Sequence, residues 1–600
     1  MSSLWLMGDH ANLKQVAAQN EVAVDRSASS FSTTRFRSFN FSSSHILDIA
    51  WIICHPIRLT FFYDFPHPTH HFLPHSPTLV HFFPFAANND YICVCEGFIS
   101  IDCGANVDHV DDSNGIWYER DDKFIGSGSN YEISPDIRFD NSPTVNGQIL
   151  TLRSFPEGER NCYTLKPKPK QEMKQNQKNS YLIRAVFSYG NYDNKNRVPV
   201  FHLYLGVNYW KTIQLPDDSY YEYQDIILHH DHLYSTDNIL QVCLVNIERG
   251  TPFINSLELR PLNNSIYNSN NSTIYLMLRY DIGSGLPSSI TRYKDDMYDR
   301  LWKYYDFIYL DRLNTSEEIK TEDSAYKVPP QVLRSAVQSL NRSYSIYVNW
   351  TYETSQQYLV FLHFAEVEKL PSGHKRIINV TFGDNNDYIL QPLDYLKPVT
   401  LCPKNPTKGY VTFTISAAAE SDAPPILNAF EVAQLLPQPN SPTHPQDGIY
   451  IYIYISINSL IFAFVLLCVG VIYVNAIMEI KGTYEITRIS WQGDPCLPSI
   501  LAWDGLNCSS DKNPRIISLN LSSSKLTGQI TTSFANLEKL ELLDLSNNEL
   551  TGQLPEILAN LSNLKFLNLA GNKLTGSIPN ALREKANLQL RFACLQNQTF

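Results

Sequence analysis

The sequence of 600 residues has no block of basic side chains, and Lys and Arg (48) are outnumbered by Asp and Glu (60), for a formal net charge of −12. Binding to nucleic acid requires clustered Lys and Arg, so we expect no nucleic-acid partner. The 11 cysteines do not show the CxxC…CxxC spacing of a zinc site. We therefore expect no metal site and no cofactor.

The sequence also lacks the motifs of common enzymes. It contains no kinase lysine motif, no His-Arg-Asp loop, no Asp-Phe-Gly, no Gly-x-Ser-x-Gly elbow and no His-Glu-x-x-His. Adjacent carboxylates occur at Asp111-Asp112 and Asp295-Asp296. Neighbouring residues of a strand point to opposite faces, so neither pair converges on one substrate. We predict that the chain is not an enzyme.

The N-terminal segment 1–95 does not resemble a domain. Six His, six Pro and seven Phe lie between His55 and Phe85, and proline at that density prevents helices and central strands. The best apolar run for a secretory signal, Ile46 to Cys54, is internal and short. We interpret 1–95 as unstructured, or as the product of an incorrect gene prediction.

Residues 96–434 have a different texture. Short apolar-aromatic runs alternate with turn residues, as at 181–187, 201–207 and 358–364. Many short strands at this spacing indicate β-sandwiches, and the length is sufficient for two. The aromatic content of 12% favours strands, with a sugar-binding surface as the alternative reason.

Seven motifs in this region occur in the order of a known family. They resemble the plant malectin-like family and are Gly97–Gly104, Arg160–Tyr163, Tyr204–Trp210, Leu257–Leu262, Asp299–Trp302, Phe364–Val367 and Pro424–Ala429. The resemblance implies two tandem malectin-like β-sandwiches, with a break near 262–275, where Asn and Ser cluster. The sugar-contacting aromatics of the animal lectin cannot be transferred to this chain. Tyr209 and Trp210 are candidates, with burial within the strand as the alternative.

Leucines recur with a period of 24 residues over 519–585. Leu519-x-Leu521 is repeated at 543–545 and 567–569, which predicts three leucine-rich repeats with one strand per coil. Asn547 and Asn572 lie where a ladder of asparagines is expected. The fold class is thus mainly β: two sandwiches followed by a short leucine-rich-repeat solenoid, with a tail at 586–600 in which the pattern stops.

Residues 476–518 precede the repeats. Their Trp-Gln-Gly-Asp-Pro-Cys motif at 491–496 and the later Cys508 resemble the N-terminal cap of plant leucine-rich repeats, in which the two cysteines pair. The resemblance predicts a disulfide between Cys496 and Cys508. Three connectivities remain open for the other four cysteines of the folded region, which are Cys103, Cys162, Cys243 and Cys402.

A linker at 435–447 leads into an apolar segment at 448–475. No charged residue occurs between 448 and 478, and the run is long enough to cross a bilayer. By the positive-inside rule, Lys481 and Arg488 would then place the repeats in the cytosol. That conflicts with the cap cysteines, which need an oxidising compartment. The alternative, which we favour, is a retained intron or an incorrect gene prediction.

Eleven Asn-x-Ser/Thr sequons between residues 263 and 597 indicate a secreted, glycosylated chain. The main candidates are Asn263, Asn271, Asn314, Asn341, Asn349, Asn379, Asn507, Asn520 and Asn560.

The family resemblance implies the ligand-sensing ectodomain of a plant receptor-like protein, related to leucine-rich-repeat receptor-like serine/threonine kinases but without a kinase domain. We expect a location at the plasma membrane with the bulk of the chain extracellular. The expected partners are the membrane, an extracellular peptide or glycan ligand, and a kinase-bearing co-receptor. The alternative is a stand-alone glycan-binding module of the malectin type.

Overall fold

The computed structural model describes residues 97–137, 147–167, 179–230, 239–268, 272–282, 290–383, 387–443, 450–455, 469–474 and 476–592. The segment 1–95 therefore lies outside the described residues, as does the end of the tail from 593. The chain divides into two compact units. The larger contains both sandwiches and the repeats, and the described residues of the smaller are 451–455 and 469–473.

The first sandwich, residues 97–262, is built on strands whose alternate side chains are apolar. Ile183 and Phe187 point from the large sheet into a core that Phe201 and Leu203 close from a smaller sheet. The small sheet has the order β6-β11-β8-β9, and a third sheet has the order β12-β5-β4. The strands are β1 (Ile99–Asp102), β2 (His109–Val110), β3 (Trp117–Arg120), β4 (Ser129–Glu132), β5 (Thr151–Ser154), β6 (Arg160–Leu165), β7 (Asn179–Ser188), β8 (Val200–Leu205), β9 (Asn208–Ile213), β10 (Tyr221–His230), β11 (Leu240–Arg249), β12 (Phe253–Ile254) and β13 (Ser256–Leu262).

The second sandwich, residues 272–436, repeats this plan. Strand alternation is clear at 410–417, where Val411, Phe413 and Ile415 are buried and their neighbours are half-buried. Its small sheet has the order β19-β25-β21-β22. The elements are β14 (Thr273–Asp281), β15 (Ile290–Arg292), β16 (Leu301–Tyr304), β17 (Asp311–Asn314), α1 (Pro330–Leu333), β18 (Ser335–Gln338), β19 (Ile346–Thr351), β20 (Gln357–Phe364), β21 (Arg376–Phe382), β22 (Asp387–Leu393), β23 (Val399–Leu401), β24 (Thr407–Lys408), β25 (Tyr410–Ala417), β26 (Ile426–Leu427) and β27 (Ala429–Leu436).

The two sandwiches share one sheet, which the sequence did not predict. The main path through this sheet is β2-β3-β1-β13-β7-β10-β14-β27-β20-β23. Strand β10 of the first sandwich pairs antiparallel with β14 of the second, with Asp225 opposite Leu276. The chain crosses between them in the interval from Leu262 to Thr273, where β13 ends and β14 begins.

The apolar segment is described only at its two ends. They form β28 (Tyr450–Ile455) and β29 (Val469–Val474), which pair in a two-stranded sheet. Residues 456–468, in the middle of the predicted span, lie outside the described residues. Within the part of the chain that is described, no helix has both the length and the apolar character needed to cross a membrane.

The repeats form a parallel solenoid. Leu519, Leu543 and Leu567 lie opposite one another in register and are fully buried. The elements are α2 (Ala476–Thr483), β30 (Leu506–Cys508), β31 (Ile516–Asn520), β32 (Thr527–Gln529), β33 (Leu542–Asp544), β34 (Glu549–Gly552), β35 (Phe566–Asn568), β36 (Lys573–Leu574), α3 (Asn580–Arg583) and β37 (Gln589–Arg591). The predicted fold class is confirmed.

The position of the asparagine ladder needs a correction. The buried asparagine that is equivalent to Asn572 in the preceding repeat is Asn548, not Asn547. Nδ2 of Asn548 donates to the carbonyl oxygen of Leu521 at 2.8 Å, and Nδ2 of Asn572 donates to that of Leu545 at the same distance. Asn547 is exposed and has a φ of 55°. The separation of Asn548 and Asn572 therefore keeps the period of the leucines.

Candidate functional site

A row of buried charges crosses the shared sheet. We call it the charge ladder, and it consists of Glu258 (β13), Arg184 (β7), Asp225 (β10), Arg279 (β14) and Glu431 (β27). Each of the five side chains is at most 3% exposed. On β7, Ile183 and Ala185 point into the first core, so by strand alternation Arg184 points to the other face.

Ion pairs connect successive members of the charge ladder. Arg184 holds both carboxylate oxygens of Asp225, at 2.8 and 3.1 Å, and reaches Glu258 at 3.1 Å. Arg279 donates to Asp225 at 3.1 Å and to Glu431 at 2.8 Å. Because Asp225 belongs to the first sandwich and Arg279 to the second, their ion pair joins the two halves.

The hairpin β15–β16 and its loop cover one end of the ladder. Arg292 donates to Asp299 at 2.6 Å and to Glu258 at 3.1 Å. Arg260 donates to the same carboxyl group of Asp299 at 2.6 Å. The Asp299–Trp302 motif that identified the family thus supplies a partner for buried arginines.

The pKa values in the ladder favour a structural role over acid–base chemistry. Burial alone would raise the pKa of Asp225, but Arg184 and Arg279 hold it below its ordinary value. Glu431 is likewise buried, and Arg279 and His363 hold its pKa well below the usual range. Burial lowers the pKa of His363, against the opposing effect of Glu431. Carboxylates held permanently ionised are poor proton donors or acceptors.

A second polar junction connects the first sandwich to the repeat cap. Nη1 and Nη2 of Arg160 donate to the carbonyl oxygens of Leu497 and Asp494, at 2.8 and 2.9 Å. The backbone N–H of Cys162 donates to Oε1 of Gln492 at 3.0 Å. Gly493 has a φ of 67°, and a Cβ there would lie 3.0 Å from both the Arg160 guanidinium and the Cys162 sulfur. Glycine therefore allows the close approach.

The described part of the linker runs along the same junction. Asn208 and Asn440 exchange two hydrogen bonds, at 3.1 and 3.2 Å. Further on, the backbone N–H of Thr443 donates to Oδ2 of Asp494 in the cap at 2.8 Å. The first sandwich, the linker and the cap therefore form one hydrogen-bonded assembly.

A cleft of about 660 Å³ opens beside this junction. Its sandwich wall contains the Gly126–Ser129 loop, Thr164 and Gln241, and its cap wall contains Lys481, Arg488 and the pair Trp491–Trp503. The two indole rings stack with centroids 4.7 Å apart. Nζ of Lys481 lies 5.2 Å from the Trp503 ring, and the Arg488 guanidinium lies 5.9 Å from the Trp491 ring. The volume of the cleft is typical of a ligand site. The sequence analysis did not predict this cleft.

The structure brings the predicted cap cysteines together. Cys496 and Cys508 are joined by a disulfide, with Cα atoms 5.9 Å apart. A second disulfide joins Cys162 and Cys243 on neighbouring strands β6 and β11, whereas Cys103 keeps a buried thiol. The Cys162–Cys243 pair belongs to one of the three open connectivities, but the second pair of that connectivity, which would include Cys103, is not formed.

The two candidate sugar-contacting aromatics, Tyr209 and Trp210, differ in their exposure to solvent. Trp210 is 3% exposed and packs in the first core, whereas Tyr209 is 48% exposed. Rings of His202 and Tyr204 meet Tyr209 edge-on, with centroids 5.4 and 5.8 Å apart.

The sequons are mostly at the surface. Asn271 lies outside the described residues, and Asn379 is half-buried on the central strand β21. The others are exposed: Asn263, Asn314, Asn341, Asn349, Asn507, Asn520 and Asn560.

A pair of β-sandwiches followed by a repeat solenoid on one chain defines the class of the protein. The sequence profile of the malectin-like domain matches residues 101–435, and that of the leucine-rich repeat matches residues 514–574. The chain belongs to the malectin-like domain family, and the resemblance inferred from its motifs is confirmed.

Relatives in Arabidopsis thaliana are named as receptor kinases. One, named a probable LRR receptor-like serine/threonine-protein kinase, is 38% identical over 74% of this chain and 48% of its own length. Another, a receptor-like protein kinase, is 37% identical over 75% of this chain and 46% of its own length. The chain thus spans about half the length of these curated relatives. The crystal structure of the ANX2 ectodomain from the same plant has 16% identity and a TM-score of 0.45, over 57% of this chain and 97% of that one.

Proposed function

We propose that this chain acts as the ligand-sensing ectodomain of a plant receptor-like protein and signals through a kinase-bearing co-receptor. The observation that carries the proposal is the junction of Arg160 with Asp494 and Leu497. It makes the first sandwich and the repeat cap form the two walls of one cleft. A ligand in that cleft would contact both recognition modules at once.

Two further points support the proposal. The relatives that match are named as receptor kinases, while the 600 residues contain no kinase motif. Phosphate transfer would then be the task of a partner. The exposed sequons favour a chain that is mostly extracellular at the plasma membrane, with a peptide or glycan as ligand.

The test is a comparison of phosphotransfer with and without a partner. We expect that the purified full chain transfers no phosphate from ATP. We expect kinase activity in the complexes that are recovered with the chain after cross-linking at the surface of plant cells. Arg160→Met, which removes the two junction hydrogen bonds that Arg160 donates, should reduce that associated activity, whereas Lys320→Gln on the second sandwich should not. ATP-dependent transfer by the purified chain alone would disprove the proposal.

A stand-alone glycan-binding module is the second candidate, and the exposed Tyr209 favours it. Aromatic rings that present a face or edge to solvent can pack against sugar rings. On a glycan array, specific binding that is lost in Tyr209→Ala but kept in Tyr388→Ala, an exposed tyrosine of the second sandwich, would support this function. Equal loss in both variants, or no binding, would reject it.

A further inference from the structure

We propose that the cleft between the first sandwich and the cap binds an acidic extended peptide, whose carboxylates pair with Lys481 and Arg488 and whose main chain follows strand β4. The inference rests on the proposed function and names the chemistry of its ligand. Three features of the described residues carry it: two cations without an acidic partner, an unpaired strand edge, and a single acidic residue in the lining.

Lys481 is a half-buried cation whose charge is not neutralised. Its Nζ donates to the carbonyl oxygen of Trp491, and no carboxylate lies within 4.0 Å of it among the described residues. Burial lowers the pKa of Lys481, with no opposing acid. An ammonium group has three donors, so at least one remains for a ligand.

Arg488, on the other side of the tryptophan pair, is also a half-buried cation whose hydrogen-bond partners carry no negative charge. Its guanidinium donates to the carbonyl oxygens of Asp504 and Asn520 and to the Ser524 hydroxyl. All three acceptors are neutral, so the positive charge of Arg488 is not balanced by a carboxylate in these contacts. Because the stacked rings of Trp491 and Trp503 separate Arg488 from Lys481, the two positive charges are held in fixed places. A carboxylate is the group that would complement each of them.

Strand β4 provides the second feature. It is the terminal strand of its sheet in the described part of the chain, and its residues, Ser129–Glu132, are all exposed. The N–H of Ile133 donates to the carbonyl oxygen of Leu150, so by antiparallel alternation the backbone groups of Asn130 and Glu132 point away from β5. The next N–H on that side, that of Ser134, donates to the carbonyl oxygen of Gly190 at 2.7 Å, so the open stretch of the edge ends at Glu132. Such an edge can pair with an added extended strand.

The open edge favours a peptide over an acidic sugar. An oligosaccharide could satisfy the two cations, but it has no backbone to continue the β4 ladder. Ser129, where β4 begins, lies in the cleft lining together with both cations. A peptide that enters at Ser129 would therefore present side chains to the cap wall.

Replacing Glu157 should change the ligand affinity in the direction opposite to the two cation variants. It is the acidic residue among those that line the cleft, and it is exposed. Its negative charge opposes an acidic ligand, so its removal should strengthen binding. Improved binding cannot result from a variant that is merely misfolded.

The experiment is calorimetric titration of the purified full chain with hexa-L-glutamate, hexa-L-glutamine and tetragalacturonate at low salt. We expect only hexa-L-glutamate to bind, with affinity that falls as salt is added. Lys481→Gln and Arg488→Gln should each weaken it about tenfold, the effect of losing one partly desolvated ion pair. Glu157→Gln should tighten it severalfold, and Lys320→Gln should leave it unchanged.

Several outcomes would overturn the inference. They are equal binding of hexa-L-glutamine, binding of tetragalacturonate in place of the peptide, absence of any binding, and equal affinities in wild type, Lys481→Gln and Glu157→Gln. If Arg488→Gln fails to fold, the affinities of Lys481→Gln and Glu157→Gln still test the inference. None of these results affects the phosphotransfer test, so this inference can fail while the proposed function stands.

Discussion

Removing the guanidinium of Arg279 should be among the most damaging single changes in the malectin-like region. Arg279 connects Asp225 of the first sandwich with Glu431 of the second, at 3.1 and 2.8 Å. Arg279→Met keeps much of the side-chain volume but leaves two buried carboxylates short of a partner. Each would keep part of its environment: Asp225 retains Arg184, and Glu431 retains His363 at 3.1 Å.

The magnitude follows from that residual pairing. Breaking a buried ion pair costs about 3–5 kcal/mol in the free energy of unfolding. Since Asp225 keeps Arg184, and Glu431 keeps His363 and the Tyr267 hydroxyl, which donates to it at 2.7 Å, we expect a loss near the lower limit, about 3 kcal/mol. Adding Glu431→Gln removes one stranded charge, so the double variant should recover about 1–2 kcal/mol of the loss.

Denaturant unfolding of the full chain, followed by circular dichroism and tryptophan fluorescence, measures these values. Arg312→Met is the matched control, because its ion pair with Asp306 is exposed on the surface and should contribute less than about 1 kcal/mol. A loss below about 1 kcal/mol in Arg279→Met, or no recovery in the double variant, would refute the reasoning that the ladder joins the two halves.

Three other outcomes are expected. Replacing Cys496 and Cys508 by Ser should lower the free energy of unfolding of the cap by about 3 kcal/mol, seen as cap proteolysis at lower denaturant; unchanged proteolysis would contradict it. Burial raises the pKa of Asp102 from 3.8 to about 6, so stability from this group is present below pH 4 and lost as pH rises through 6. Asp102→Asn should therefore gain about 3 kcal/mol at pH 7 and little at pH 4 in thermal melts; an equal gain at both values would exclude that origin. Mass spectrometry should find glycan on the exposed Asn349 and not on the half-buried Asn379; the reverse occupancy would oppose this burial argument.

The repeats and sandwiches could be predicted because their signals are local. A fixed period places Leu519, Leu543 and Leu567 in register, and short alternating runs indicate strands. The shared sheet could not be predicted, because the pairing of β10 with β14 depends on the whole arrangement of strands. One signal was available: Arg184 interrupts a run of apolar residues, and a charge in a buried strand requires a partner. Its partner Asp225 is 41 positions away.

The cleft was beyond sequence reasoning for the same reason. Arg160 and Leu497 are separated by 337 positions, and nothing in the Arg160–Tyr163 motif indicates a contact with the cap. The cap motif itself was recognised through its cysteines and tryptophans. The structure shows that its Gln492 and Gly493 contact the sandwich, while Trp491 and Trp503 position the two cations of the cleft.

The distribution of sequons agrees with a ligand surface on the first sandwich. No Asn-x-Ser/Thr occurs between 97 and 262, whereas the exposed sites described above are Asn263 and positions in the second sandwich, the cap and the repeats. Asn507 of the cap and Asn520 of the first repeat lie on neighbouring strands β30 and β31, so glycans there would screen the strand face at the cap end. The sandwich wall of the cleft carries no such site. A ligand approaching along β4 would therefore meet protein surface, and the charges of Lys481 and Arg488 would be reached from that side.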